Sequence, residues 1–156
     1  MMFREMRRKG NALSREDTIE ILSKNTNGVL AVSGDDGYPY TVPLSYVYDN
    51  NKIFFHCATE GHKLDAIEKY EKVSFCVIEE DNIIPEDFNT LFRSAIAFGN
   101  ARILTDEKEK EHVLEIILQK YSPEFIETGR KYIEQEWNNC KAVEIAIEHL
   151  TGKAGD

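Results

Sequence analysis

Cysteine is scarce in this chain. Its three copies, Cys57, Cys76 and Cys140, are widely spaced and form no CxxC pair, so neither a zinc site nor a disulfide framework is expected. Three reduced thiols fit a cytoplasmic protein, with Cys76 read as a small buried strand residue inside "KVSFCVI". Long apolar runs are missing too. Nothing approaches the roughly 18 residues that cross a bilayer, and no membrane span is expected. The opening "MMFREMRRKG" has basic residues with no apolar stretch behind them, which does not fit a secretion signal; it reads as a solvated or partner-packed arm. Cations are outnumbered: 19 Lys and Arg stand against 28 Asp and Glu, a formal net charge of −9. A general nucleic-acid binder needs a basic field, so that class is not expected. Any anion bound here must be held by a local cluster of donors. The Walker A loop and the Rossmann GxGxxG turn are both absent.

What is present reads as one domain over 1–156, with no repeat, low-complexity segment or long linker. "SREDTIEILSKN" (14–25) is an amphipathic helix with Ser14 as N-cap and Ile19 and Leu22 on one face. "GVLAVS" (28–33) is a strand, and Asp36-Gly37 supplies a turn with positive φ. "YTVPLSYVY" (40–48) alternates, putting Tyr40, Val42, Leu44, Tyr46 and Tyr48 on one face. "KIFFHCA" (52–58) is the third strand of a meander and "KVSFCVIEE" (72–80) the fourth, with a helix between them over 60–70 that turns Leu64 and Ile67 inward. The run 92–104 is long for one strand, and Gly99 marks a bend or bulge. Acids lead a clear helix over 106–121, striped by Val113, Leu114, Ile117, Leu118 and Tyr121. A second helix starts at Pro123 after Ser122. "KAVEIAIEHL" (141–150) closes the chain as a strand with Val143, Ile145 and Ile147 facing in. These elements predict a mainly β protein with peripheral α-helices, a small six-stranded antiparallel barrel mostly in meander order.

Two local anomalies stand out. In "TEGHK" (59–63) a helix begins with Thr59 able to cap it, Gly61 leaving the backbone open, and His62 and Lys63 in the first turn. A cation at a helix N-terminus is mildly unfavourable, by about a few tenths of a kcal/mol. A phosphate there reverses the sign, because N–H groups, imidazole and ammonium then converge on it. The competing reading has Lys63 snorkelling to solvent beside an incidental glycine. The second anomaly is Pro43, which cannot donate to a ladder. It marks either a solvent-facing edge strand or a backbone turned toward a flat ring. Together the two favour a phosphorylated aromatic cofactor. His56 at the preceding strand end is either a hydrogen-bonded structural residue or a catalyst. A metal site built on His56 and His62 lacks a third ligand at a suggestive spacing.

The ordered set "DDGYPYTVPLSYVY…KIFFHCATEGHKLDAI…KVSFCVI…FRSAIAFGNARIL…IEHLTGK" closely resembles the nitroimidazole-reductase (Nim-type) branch of the pyridoxamine 5′-phosphate oxidase-like family, over nearly the whole chain. The resemblance implies a split β-barrel that binds FMN at the interface of a homodimer. It implies that Val42, Pro43, Leu44, Ser45 and Tyr46 lie against the isoalloxazine, largely through backbone. His56, Cys57, Ala58, Gly61, His62 and Lys63 would line the ribityl-phosphate end, and Ser94 would come from the second subunit. Cys57, Gly61, His62 and Lys63 fall where the oxidases place Thr, Ser, Arg and Lys. Gly61 has no hydroxyl, and His62 is a weaker, pH-dependent donor than Arg. The resemblance gives His56 a place near the flavin and makes it the candidate proton donor. The implied activity takes electrons from NAD(P)H or another donor and passes them to a small aromatic or nitro acceptor. A non-catalytic flavin- or haem-binding carrier or sensor, and a dimer that has lost its ligand, remain as alternatives.

Overall fold

A computed structural model describes residues 3–155 of the chain; residues 1, 2 and 156, which the expected domain span includes, lie outside the described residues. Helix α1 (Arg15–Lys24) begins where the pattern requires, with the Ser14 hydroxyl accepting the N–H of Asp17 at 3.1 Å. Its buried face is Thr18, Ile21 and Leu22, with Ile19 half-buried beside them. Strands β1 (Asn27–Ser33) and β2 (Pro39–Ser45) form a hairpin whose turn holds Asp36 at φ 56° and Gly37 at φ 81°. After these come β3 (Val47–Asp49), β4 (Lys52–Cys57), α2 (His62–Lys69), β5 (Lys72–Ile84) and β6 (Asn89–Ile103). Helices α3 (Glu107–Tyr121) and α4 (Ile126–Glu136) precede the last strand, β7 (Lys141–Gly155).

Several expectations need correction. There are seven strands rather than six, because the run 40–48 breaks at Tyr46 into β2 and β3. All seven belong to one antiparallel sheet in the order β2-β1-β5-β6-β7-β4-β3. Meander order survives only in pieces, and the sheet is not closed by a ladder. Helix α4 begins at Ile126, not Pro123, because the chain first turns, the Phe125 N–H donating to the Ser122 carbonyl at 2.9 Å. The residue capping α2 is Gly61 rather than Thr59. Cys76 is half-buried rather than buried.

The break at Tyr46 organises the fold. The two edge strands, β2 and β3, are separated in sequence by this one residue. The sheet has curled until its first and last strands run end to end, leaving a split between β2 and β4. Tyr46 is fully buried at this join. Its hydroxyl donates to the Leu22 carbonyl at 2.6 Å, and its ring meets Phe75 edge-on with centroids 5.0 Å apart. Its backbone leaves both ladders and is satisfied by the end of α3. The Tyr46 N–H donates to the Tyr121 hydroxyl at 3.1 Å, and the Tyr46 carbonyl accepts from Lys120 Nζ at 3.1 Å. Buried backbone groups need such partners, and side chains supply them here because strands do not.

Two apolar layers hold the rest. Leu30, Val32, Phe55, Phe75, Val77 and Ile145 fill the inside of the curl, with Leu22 of α1 and Leu64 and Ile67 of α2 packed against them. On the outside of the sheet, Val47, Phe54, Leu104 and Ala142 pack on Val113 of α3. Val143, Ile145 and Ile147 face inward as read from sequence, while Glu144 is buried on the helix side and paired with Lys52 at 2.8 Å and Arg102 at 2.6 Å. The expected irregularity at Gly99 is present as a register shift between Phe98 and Gly99. A Cβ at Gly99 would stand 2.3 Å from the Ala146 carbonyl, so only glycine lets β7 approach there. Among the described residues no helix is long and apolar enough to cross a membrane.

Removing the Tyr46 hydroxyl strands the buried Leu22 carbonyl. Tyr46→Phe is expected to lower unfolding stability by about 1–2 kcal/mol, read from the urea midpoint. An unchanged midpoint would show that this bond does not hold the join.

Candidate functional site

Two chain segments flank the split. On one side is β2, whose Val42 and Leu44 pack inward while Thr41, Pro43 and Ser45 face out and are exposed. Pro43 sits on an edge strand, where a missing N–H is tolerated. On the other side is the end of β4, the loop after it and the start of α2. Contacts tie the two segments at both ends. The rings of Tyr40 and His62 lie 4.0 Å apart between centroids, and Ser45 shares a cleft with His56, Cys57 and Ala58. Residues 42–46 and 56–63 therefore run side by side without forming a ladder.

The α2 end presents a helix N-terminus with Lys63 in its first turn, beside the acid Asp65. No side chain caps this helix, so its first-turn N–H groups are free of a cap. Gly61 adopts φ 152° and ψ 170°, a conformation that disfavours any side chain, and a Cβ there would meet nothing within 4 Å. The backbone is thus open to an approaching group. Lys63 is half-buried and makes no ion pair or hydrogen bond among the described residues. Burial pushes the Cys57 thiol pKa up, and the Lys63 charge nearby draws it partly back. His62 behaves differently from a free anion ligand. Its Nε2 is buried without a hydrogen-bond partner, 3.8 Å from an Asp35 carboxylate oxygen, beyond hydrogen-bond reach.

The other end opens into a cleft of about 880 Å³ between the sheet and helices α3 and α4. His56, on the outer face of β4 opposite Ala142, lines it with Ser45, Cys57 and Ala58. Solvent reaches the imidazole at the cleft mouth, yet the walls desolvate it enough to lower its pKa below the ordinary 6.5. The helices add Tyr121, Phe125 and Tyr132 to the lining, and the residue before β7 adds Cys140. Sequence reasoning missed these as site residues. Tyr121 was visible only as part of the α3 stripe, and nothing in the pattern of α4 distinguished Tyr132.

Ser94 is not brought to this site within the chain. It is half-buried on the outer face of β6, opposite Ile78 and Lys153, in a separate hollow of about 200 Å³ shared with Arg4 and Thr151. The same outer face carries a row of facing partners, Pro43–Val29–Cys76–Ile96, across four strands. Val29, Ile78, Ile96 and Phe98 are exposed on it.

The family described as pyridoxamine 5′-phosphate oxidase matches residues 14–154. Among solved structures, a candidate 5-nitroimidazole antibiotic resistance protein of Bacteroides thetaiotaomicron is 21% identical, with 92% of this chain and 86% of that one covered and a TM-score of 0.74. A flavocytochrome of Azotobacter vinelandii is 20% identical over 97% of this chain and 72% of its own, with a TM-score of 0.84. An FAD- and haem-binding protein of Mycobacterium smegmatis is 19% identical over 92% and 72%, with a TM-score of 0.75. At these identities the likeness shows the fold. No curated protein matches the chain in sequence.

Because desolvation favours neutral imidazole, His56 binds its proton more weakly folded than unfolded. Acidification through 6.5 therefore costs stability, and the contribution is fully present only above that value. In a proton NMR titration the His56 ring is expected to titrate below the ordinary histidine midpoint; a midpoint at or above it would contradict the desolvated cleft.

Proposed function

This chain belongs to the pyridoxamine 5′-phosphate oxidase family, and we propose that it is an FMN-dependent reductase of the nitroimidazole-reductase type, acting as a cytoplasmic homodimer on a small aromatic or nitro compound. One observation carries the reading: Lys63, half-buried and without a partner among the described residues, behind the open backbone of Gly61 and next to His62, whose ring packs on Tyr40 of β2. A phosphate fits that donor set. It would accept from the α2 N–H groups and pair with Lys63, while the exposed edge of β2 would take the flat ring.

When bound, FMN supplies the electron and hydride chemistry, with NAD(P)H or another donor as the source. The chain's own residues bind and orient. Val42, Pro43, Leu44, Ser45 and Tyr46 form the wall for the ring, and Tyr46, locked at the join, holds that wall in place. Cys57, Ala58, Gly61 and His62 shape the phosphate end, His62 through its backbone N–H while its ring braces Tyr40. His56 holds the proton delivered to the acceptor at an imidazole nitrogen. Its lowered pKa makes the imidazolium scarcer, and a stronger acid, than that of an ordinary histidine, and the protonated fraction is lost as pH rises through that pKa. The exposed outer face bearing Val29, Ile78, Ile96 and Phe98 supports a second copy, which would bring Ser94 of the partner subunit toward the flavin. Free thiols at Cys57, Cys76 and Cys140 support a reducing compartment.

A non-catalytic flavin- or haem-binding carrier or sensor is the second reading. It is favoured by His56 as a neutral imidazole, able to ligate iron, on the wall of a cleft of about 880 Å³. A Soret band without flavin bands in the purified protein would select it.

FMN titration followed by reduction with NADH or NADPH tests the reductase. Lys63→Ala is expected to weaken FMN binding about 10- to 100-fold, the loss of one charge-assisted bond, and unchanged affinity would refute the phosphate grip. His56→Ala is expected to retain FMN while acceptor reduction slows about a hundredfold; unaltered turnover would remove His56 from the chemistry.

A further inference from the structure

We propose that the cleft between the sheet and helices α3 and α4 binds an uncharged, flat ring compound, and that Phe125 and Tyr132 set its selectivity. Its role as the acceptor site rests on the reductase reading; its binding of such a compound does not.

The size is that of a small-molecule site, since clefts of about 300–1,000 Å³ enclose drug-sized ligands and this one measures about 880 Å³. Ser45 and His56 line its sheet side beside Ala58, while Leu114, Ile117, Leu118 and Ile133 give the helix side an apolar surface. Phe125 caps α4 and Tyr132 lies seven residues on, two helical turns that place both on one face about 10 Å apart. Each is 64% exposed, and both line the cleft. They stand out from a helix that has no fully buried residue. Two large rings left wet on the same wall provide stacking surface for a third ring. Gly129 lies between them where α4 meets α3, close enough that a Cβ would fall 2.2 Å from a Leu118 methyl. That close approach sets the width of the wall.

Charge defines the ligand class. No Lys or Arg lines the cleft, and its one formal carboxylate is Glu136. Desolvation shifts His56 toward its neutral form and the Tyr121 phenol toward its protonated form. A phosphate or carboxylate entering here would lose water and gain no cation. An uncharged ring loses nothing comparable and finds hydrogen-bonding groups in His56, Thr128 and Asn139. Phosphorylated pyridoxamine is thereby disfavoured as the ligand of this cleft, while the phosphate grip sits apart at Lys63.

Calorimetric titration with naphthol and with naphthalenesulfonate compares one ring system with and without a fixed negative charge. Wild-type protein is expected to bind naphthol, and the sulfonate at least about tenfold more weakly. Phe125→Ala and Tyr132→Ala are each expected to weaken naphthol about fivefold and leave FMN affinity unchanged. Glu136→Lys, which alters charge without removing a wall, is expected to turn the preference toward the sulfonate. Equal binding of the two compounds, no binding of naphthol, or unaltered affinity in both aromatic variants would overturn the proposal. The FMN titration is a separate readout. Protein that takes no FMN but prefers naphthol keeps this site and loses the reductase reading, and protein that takes FMN but ignores naphthol loses this site.

Discussion

The need to satisfy buried backbone groups at a single join decides what the sheet can be. Where the chain steps from one free edge to the other, the Tyr46 backbone has no strand to pair with and no water to turn to. Lys120 and Tyr121, at the end of α3, provide the missing partners, and the Lys120 ammonium also lies 4.4 Å over the Tyr46 ring. Burial lowers the Lys120 pKa, the cost of using a cation to serve the carbonyls of Asn25 and Tyr46. Helix α3 is therefore part of how the sheet ends, and not a decoration on its surface. Without it the two edges would be free to separate, and the split would lose its fixed width.

That fixed width gives the site its two characters. At the α2 end the chain places a helix terminus, an open glycine and a lysine with no partner among the described residues, in a protein whose net charge is −9. At the α3–α4 end it places aromatic and aliphatic walls with no lining cation. The proposed reading assigns an anion to one end and an uncharged ring to the other. The residues between them, Ser45 and His56 to Ala58, border both. In the reading proposed above, a molecule with a phosphate tail and a flat head would meet the two environments in that order, and a second, uncharged molecule would have its own place beside the head.

Much of this was legible because local rules act over short spans. Ser14 and Asp17 cap α1 as their spacing demands, Asp36-Gly37 makes its turn, and Gly99 marks the register shift in β6. The alternation of Tyr40, Val42, Leu44, Tyr46 and Tyr48 identified the inward face correctly. It did not reveal the break, because Tyr46 keeps the same alternation while changing strands. Pro123 is a good first helical residue by local preference, yet α4 starts at Ile126, after a turn closed by Ser122 and Phe125. His62 looked like a ligand of the same kind as Lys63, and only its packing on Tyr40 sets the two apart. The wall built by Phe125 and Tyr132 had no signature at all, since an exposed aromatic on a helix looks the same in sequence whether it faces solvent or a cleft.

The sequence by itself determined which stretches pair, which turn and which carry unusual charge, because backbone propensity and side-chain period depend on neighbours a few residues away. It also placed the residues of the split in two short segments. Tertiary structure alone decided that these segments face each other across an unpaired gap, that Ser94 lies in a separate hollow, and that α3 and α4 roof a cleft over His56. Those outcomes depend on how far the sheet curls before Tyr46 meets Tyr121, a distance set by packing among residues some 75 apart in the chain, which no local pattern encodes.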